Sequence, residues 1–218
     1  MEWPILRGLS EEDRHRVLTA ARRRTFSRRE VIFHEGDPGD TLHLIGRGRV
    51  AIRVTTSQGD VATLAVLGPG DTFGELALVS HDFERTATVV ALEKTETLVL
   101  RRGPFEELRR AHPSVDRFLV DLLTSQVRRL SDLLVEALFT PAETRVIRRL
   151  LAVAEVYGSL APGTTVPLTQ ADLASLAGTS RATANRVLRA AQEAGALRLA
   201  RNHIELLDVP ALNHLARH

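Results

Sequence analysis

The sequence predicts an α+β protein: a small antiparallel roll, one long helix, and a C-terminal helical unit that closes on a hairpin. Three observations predict it. Short apolar runs punctuated by glycine fill residues 25–102, apolar residues recur by threes and fours over residues 120–137, and two short helical patterns meet at Gly178.

Each element follows from local chemistry. Ser10 before Glu11, Glu12 and Asp13 starts a helix, since a hydroxyl accepts from the free N–H groups of a first turn and acids favour its positive end. The roll is read from residues 31–33, 41–45, 50–54, 61–64, 87–92 and 97–100, with breaks at 36–39, 46–48, 58–60 and 68–71. From Pro104 the pattern is helical past residue 138. Within it Val120, Leu123, Val127, Leu130, Leu134 and Ala137 form an a/d seam beside charged Arg128, Arg129, Asp132 and Glu136, which suits a helix pairing with its own copy. Thr140-Pro141-Ala142-Glu143 then breaks the helix and starts another over 142–157, with proline in the first turn. Residues 166–168 are extended, and residues 197–199 and 204–206 make a hairpin turning at Arg201-Asn202. The domains are therefore 1–112, a roll; 113–139, a helix suited to pairing with its own copy; and 140–218, a C-terminal helical unit with a hairpin.

Composition narrows the function classes. A chain of 218 residues with 44% hydrophobic and 26% charged residues is an ordinary globular protein with room for two domains. It shows neither a secretory start nor an apolar run long enough to cross a bilayer, so a cytoplasmic protein without membrane partners is expected. The absence of cysteine excludes disulfides, thiolate zinc sites, iron-sulfur clusters and thiol nucleophiles. All but Lys94 of the 29 basic residues are arginine, the side chain suited to bidentate phosphate and guanine contacts. The eight histidines are scattered, with no helical pair at metal spacing, so no metal is expected.

Two constellations carry chemistry. The first is Phe73-Gly74-Glu75-Leu76-Ala77-Leu78 followed by Glu84-Arg85-Thr86-Ala87-Thr88-Val89. It brings a carboxylate, a guanidinium, a hydroxyl and a glycine-started turn to one place, a set suited to a small anionic ligand carrying a sugar. The second runs from Thr169 to Arg189 with the spacing of a helix-turn-helix. Thr169 caps the first helix with Asp172 completing a capping box, Ala174 permits close approach, Gly178 takes the turn, and Thr179 or Ser180 caps the second helix. On that second helix Ala184, Val187, Leu188 and Ala191 share one side, while Arg181, Ala182, Asn185, Arg186 and Arg189 share the other. A basic outer face near a helix start fits a major groove.

Taken together, these features resemble the CRP/FNR family of bacterial transcription regulators, through residues 73–78 with Arg85-Thr86-Ala87 and through residues 168–188. The resemblance covers the whole chain. It implies a cyclic-nucleotide-binding β-roll of the jelly-roll kind, a dimerisation helix and a winged helix-turn-helix, in a homodimer that binds double-stranded DNA and works with RNA polymerase. It further implies that Gly74, Glu75, Leu76, Arg85, Thr86 and Ala87 hold cyclic AMP or a related cyclic nucleotide. Glu75 would accept the ribose hydroxyl, Arg85 would pair with the phosphate, and Thr86 would hydrogen-bond it. Thr169, Gln170, Ser180, Arg181, Ala182, Thr183, Asn185, Arg186 and Arg189 would meet DNA, with Arg181 and Arg186 reading guanine.

Two departures from the pattern stand out. The threonine-serine pair that holds adenine in cyclic-AMP receptors is replaced, by Leu133-Leu134 or by Leu130-Ser131 depending on where the count starts. The Ser-Arg-Glu-Thr that reads a TGTGA-like half-site is here Ser180-Arg181-Ala182-Thr183, and Ala182 accepts no hydrogen bond from cytosine. Other readings compete. The effector is another small molecule or none, Glu75 and Arg85 then forming a plain salt bridge; or the chain binds cyclic nucleotide without DNA. A haem sensor would draw on His81 but lacks a second axial ligand, and an enzyme lacks a nucleophile with its base.

Overall fold

The computed structural model describes residues 3–7, 9–79 and 84–217; His81 and His218 lie outside them. The chain divides into two compact units, residues 1–54 with 66–129, and residues 55–65 with 130–218.

The first unit opens with a 3-10 turn at Pro4–Leu6 and helix α1 (Glu11–Ala20). Ser10 caps α1 by accepting from the Asp13 N–H at 3.1 Å. Along the chain the described strands are then β1 (Arg22–Phe26), β2 (Val31–Phe33), β3 (Thr41–Arg47), β4 (Val50–Thr55), β5 (Val61–Leu67), β6 (Thr72–Phe73), β7 (Thr88–Ala91) and β8 (Thr95–Arg101), with the short helix α2 (Leu76–Val79) between β6 and β7; β5 straddles the division, its first five residues being counted with the second unit. They form two antiparallel sheets, ordered β1-β8-β3-β6 and β2-β7-β4-β5, the arrangement of a roll. Strand β1 carries Arg22, Arg23 and Arg24, all exposed. It is a strand because its backbone pairs with β8, not because its side chains alternate, which is why the sequence places the first strand later.

Trp3, Leu6, Val17, Leu42, Leu44, Leu100, Phe105 and Val115 fill one apolar core of this unit. The Trp3 indole N–H reaches the Ile45 carbonyl at 2.9 Å, which satisfies the ring's polar end inside that core. Ile45, Val50, Phe73 and Val89 form a second core between the sheets. Helices α3 (Arg102–Ala111) and α4 (Pro113–Phe139) complete the helical stretch. The sequence pattern runs on without interruption from Pro104, whereas the structure breaks at His112; Pro113, lacking an N–H, opens the new helix.

The second unit packs α5 (Ala142–Val156), α6 (Gln170–Leu176) and α7 (Arg181–Glu193) around Ile147, Leu150, Leu173, Ala184 and Leu188. Pro141 occupies the cap of α5 and not its first turn. Strand β9 (Thr165–Val166) and the hairpin of β10 (Leu197–Ala200) and β11 (His203–Leu206) form a sheet ordered β10-β11-β9, and α8 (Val209–Leu215) ends the chain. The hairpin turns at Arg201-Asn202, where Asn202 takes a left-handed φ of 68° that asparagine tolerates.

Candidate functional sites

The first site forms where β6 ends. Gly74 has a φ of 90°, and a Cβ there would lie 2.7 Å from the Arg85 Nη1 and 2.8 Å from the Thr41 carbonyl, so both the backbone and the packing demand glycine. The absent side chain lets Arg85 lie against the strand. Its Nη1 donates to the carbonyls of Thr41 (2.9 Å) and Gly74 (3.1 Å), and its Nη2 donates to the Thr41 hydroxyl (2.6 Å). The guanidinium carbon sits 4.0 Å from the centre of the Phe33 ring, a cation–π contact. Arg85 is buried, and that burial draws its pKa below the ordinary arginine value against the opposing pull of Asp40, Glu75 and Asp37.

Glu75 is buried beside it. The two do not form the salt bridge that one reading of the sequence expects: Glu75 Oε1 instead accepts from the Gln126 amide of α4 at 2.6 Å. Glu75 Oε2 and Arg85 Nε are buried with no partner among the described residues. Leu76 is half-buried, Thr86 exposed and Ala87 buried. An acceptor and a donor held out of water, each with capacity left, can take a hydroxyl and an anion.

Beneath this site lies His43, buried on β3 and stacked on Phe73 at 4.7 Å between ring centres. Burial, with Arg85 and Arg24 nearby, pushes its pKa from 6.5 down to about 3.

The second site is the pair α6 and α7. Thr169 and Asp172 make the expected capping box, and Ser180 caps α7 by accepting from the Thr183 N–H at 3.1 Å. Gly178 takes the turn with a φ of 56°. On α7, Ala184, Leu188 and Ala191 face inward, while Arg181, Ala182, Arg186 and Arg189 are exposed. Two positions depart from the expected division: Val187 is only half-buried, and Asn185, placed by the sequence on the outer face, is half-buried with its Oδ1 enclosed. The reason is geometric, because a helix face narrower than half a turn leaves both positions at its border. Thr169, Gln170 and Thr183 are also half-buried, and Ser180 is exposed. An open cleft of about 290 Å³ runs beside them, lined by Thr169, Gln170, Arg181, Asn202 and His203 among others.

Two residues of α5 organise this site. Arg145 donates to the carbonyls of Ala177 (2.9 Å), Gly178 (3.1 Å) and Thr140 (2.8 Å), and so holds the turn between the two helices. Glu143 accepts from the Arg186 guanidinium at 2.7 Å, an exposed pair that holds the carboxyl below its usual range. Sequence reasoning places Glu143 only at a helix start and does not find Arg145 or Gln126. The signal for Gln126 is faint, a lone amide beside the apolar seam.

On α4, the seam residues Val120, Val127, Leu130, Leu134 and Ala137 are exposed and Leu123 is half-buried; Val135, Leu138 and Phe139 add to the exposed apolar surface. Among the described residues no three histidine, aspartate or glutamate side chains gather as a metal set.

Comparison with known proteins matches residues 23–112 to the cyclic nucleotide-binding domain and residues 144–215 to the Crp-like helix-turn-helix domain. The chain is similar to the Cyclic AMP receptor protein of Thermus thermophilus, 37% identical over 214 residues, 98% of this chain and 96% of that protein. It is also similar to the CRP-like cAMP-activated global transcriptional regulator of Mycobacterium tuberculosis, 30% identical over 195 residues, 88% of this chain and 87% of that protein. Among solved structures, the Thermus thermophilus catabolite activator protein aligns with a TM-score of 0.57 and 36% identity, covering 98% of both chains.

The depressed pKa of His43 sets a pH dependence of stability. Its folded value, about 3, lies below the ordinary 6.5, so the unfolded chain takes up the proton first and stability falls as pH drops through that window. Replacing His43→Phe should flatten the slope of unfolding free energy between about pH 6 and 4 by up to ~1.4 kcal/mol per pH unit. Denaturant titrations at several pH values measure this, and an unchanged slope would refute it.

Proposed function

Because the chain belongs to the CRP/FNR family of DNA-binding transcription regulators, we propose that it works as a homodimer whose operator binding is set by a cyclic nucleotide, cyclic AMP foremost, held in the roll. Its relatives are transcription regulators and not enzymes. The observation that carries the effector reading is the pair of buried atoms without a partner among the described residues, Glu75 Oε2 and Arg85 Nε. A ribose hydroxyl donates to the first, and a cyclic phosphate accepts from the second and from the Thr86 hydroxyl.

The apolar seam of α4 supports the dimer, with Val120, Val127 and Leu134 each about 60% exposed, a stripe that a second copy would cover. Two copies of α7 would then enter successive major grooves about 34 Å apart. Arg181 and Arg186 would read guanine, and Thr169, Gln170, Ser180, Thr183 and Arg189 would fix the register on the backbone. Asn185, half-enclosed, would contribute least. Ala182 leaves one base pair of each half-site without a carboxylate reader. RNA polymerase is the further partner, and the cytoplasm the place of action; no described helix is long and apolar enough to cross a membrane.

A second reading has its own support. Gln126 already satisfies one oxygen of Glu75 without any ligand, as a regulator needing no effector would require.

Calorimetric titration with cyclic AMP and cyclic GMP separates the two. Binding is expected for the native chain, with a loss of at least about tenfold in Arg85→Leu, the worth of one charge-assisted hydrogen bond; a native protein that binds neither nucleotide would overturn the effector reading. In binding assays on a selected operator, Arg181→Ala should cost roughly 1–3 kcal/mol and relax one base position. Glu143→Gln should act in the opposite direction, since it frees Arg186: affinity for non-specific duplex at low salt should rise, and the salt slope should steepen by about one. Fluorescence anisotropy across a salt series reads both effects.

A further inference from the structure

We propose that His43 is a positioning residue for the anion site, aiming Arg85 through the hydroxyl of Thr41; the inference rests on the cyclic-nucleotide reading and adds a residue to it. Thr41 and His43 are neighbours on one face of β3, two residues apart. The Thr41 Oγ1 accepts from Arg85 Nη2 at 2.6 Å and lies 3.3 Å from His43 Nε2. Arg85 can only donate, so the single hydroxyl proton of Thr41 is free to go to His43. That requires an unprotonated Nε2. In this arrangement the imidazole carries its proton on Nδ1, which lies 3.3 Å from the Thr97 hydroxyl, an oxygen able to accept it.

This order has a direction. The histidine accepts a hydrogen bond from the Thr41 hydroxyl and so turns a lone pair of Oγ1 toward the guanidinium. An imidazolium could not do this, because its Nε2–H would compete with Arg85 for the same oxygen, two cations on one hydroxyl. The rings of Phe73, Phe33 and Phe26, at 4.7, 5.9 and 6.2 Å from the imidazole, fix its plane and keep water away. Phe33 serves both ends of the relay, since its face also carries Arg85.

Binding of cyclic AMP to Thr41→Val, His43→Phe and the double variant tests the relay. His43→Phe keeps an aromatic ring but removes the acceptor, and Thr41→Val removes the hydroxyl. Each single change should weaken binding about tenfold, the net worth of one hydrogen bond, and the double variant should be no weaker than either. Losses that multiply in the double variant would overturn the proposal. His43→Gln, whose carbonyl can replace Nε2 as acceptor, should bind within about twofold of native. Nitrogen NMR of ¹⁵N-histidine-labelled native protein gives a readout that needs no variant to fold and no nucleotide to bind. A proton on Nδ1 with a bare Nε2 is expected; the opposite tautomer or an imidazolium at neutral pH would overturn the relay even where nucleotide binds. If the native chain binds neither cyclic nucleotide, the effector reading fails while the tautomer still decides the Thr41–His43 order.

Discussion

A guanidinium held inside the roll with no ion-pair partner among the described residues is the constraint on which the first unit depends. An isolated charge out of water is costly, and the usual remedy is a carboxylate close by. Here the remedy is neutral: two carbonyls, one hydroxyl and an aromatic face surround Arg85. The charge is solvated but not cancelled. It stays available to an incoming anion, which a Glu75 partner would have consumed. Gly74 follows from this, since any side chain there would occupy the space of the guanidinium. So does Gln126, because the spared carboxylate needs a donor of its own and takes a neutral one.

The reading surface solves the converse problem. Arg181, Arg186 and Arg189 stand in water, where like charges on one helix face are screened and cost little. Arg186 nevertheless has an acid, and the pair is exposed, so it is worth no more than about 1 kcal/mol and gives way readily to a stronger acceptor. A buried cation held by neutral groups and an exposed cation held by an acid are both sites ready for exchange.

Much of this was legible in the residues, and the division follows range. Caps, turns and seams are written in neighbouring positions: the Thr169–Asp172 box, the Ser180 cap, the Gly178 turn, the hairpin at Arg201-Asn202 and the stripe on α4 all follow from local spacing. What was not legible joins distant positions. Gln126 meets Glu75 across 51 residues, Arg85 meets Thr41 across 44, and Arg186 meets Glu143 across 43, separations that no periodicity registers. Strand β1 was obscure for a related reason, since its pairing with β8 outweighs a run of exposed arginines. A helical wheel puts Asn185 on the outer face, whereas it lies half-buried at the border, because a wheel assigns sides but not the width of the buried side.

The grip of Arg145 has a consequence for how such a regulator changes its targets. The bend that presents α7 is clasped from α5, at the carbonyls of Ala177 and Gly178, and none of those bonds is made by the exposed side chains of α7. Outer residues such as Arg181, Ala182 and Arg189 are therefore interchangeable without loosening the mount that carries them. Lineages, and engineers, can rewrite the operator vocabulary one letter at a time while the scaffold stays rigid.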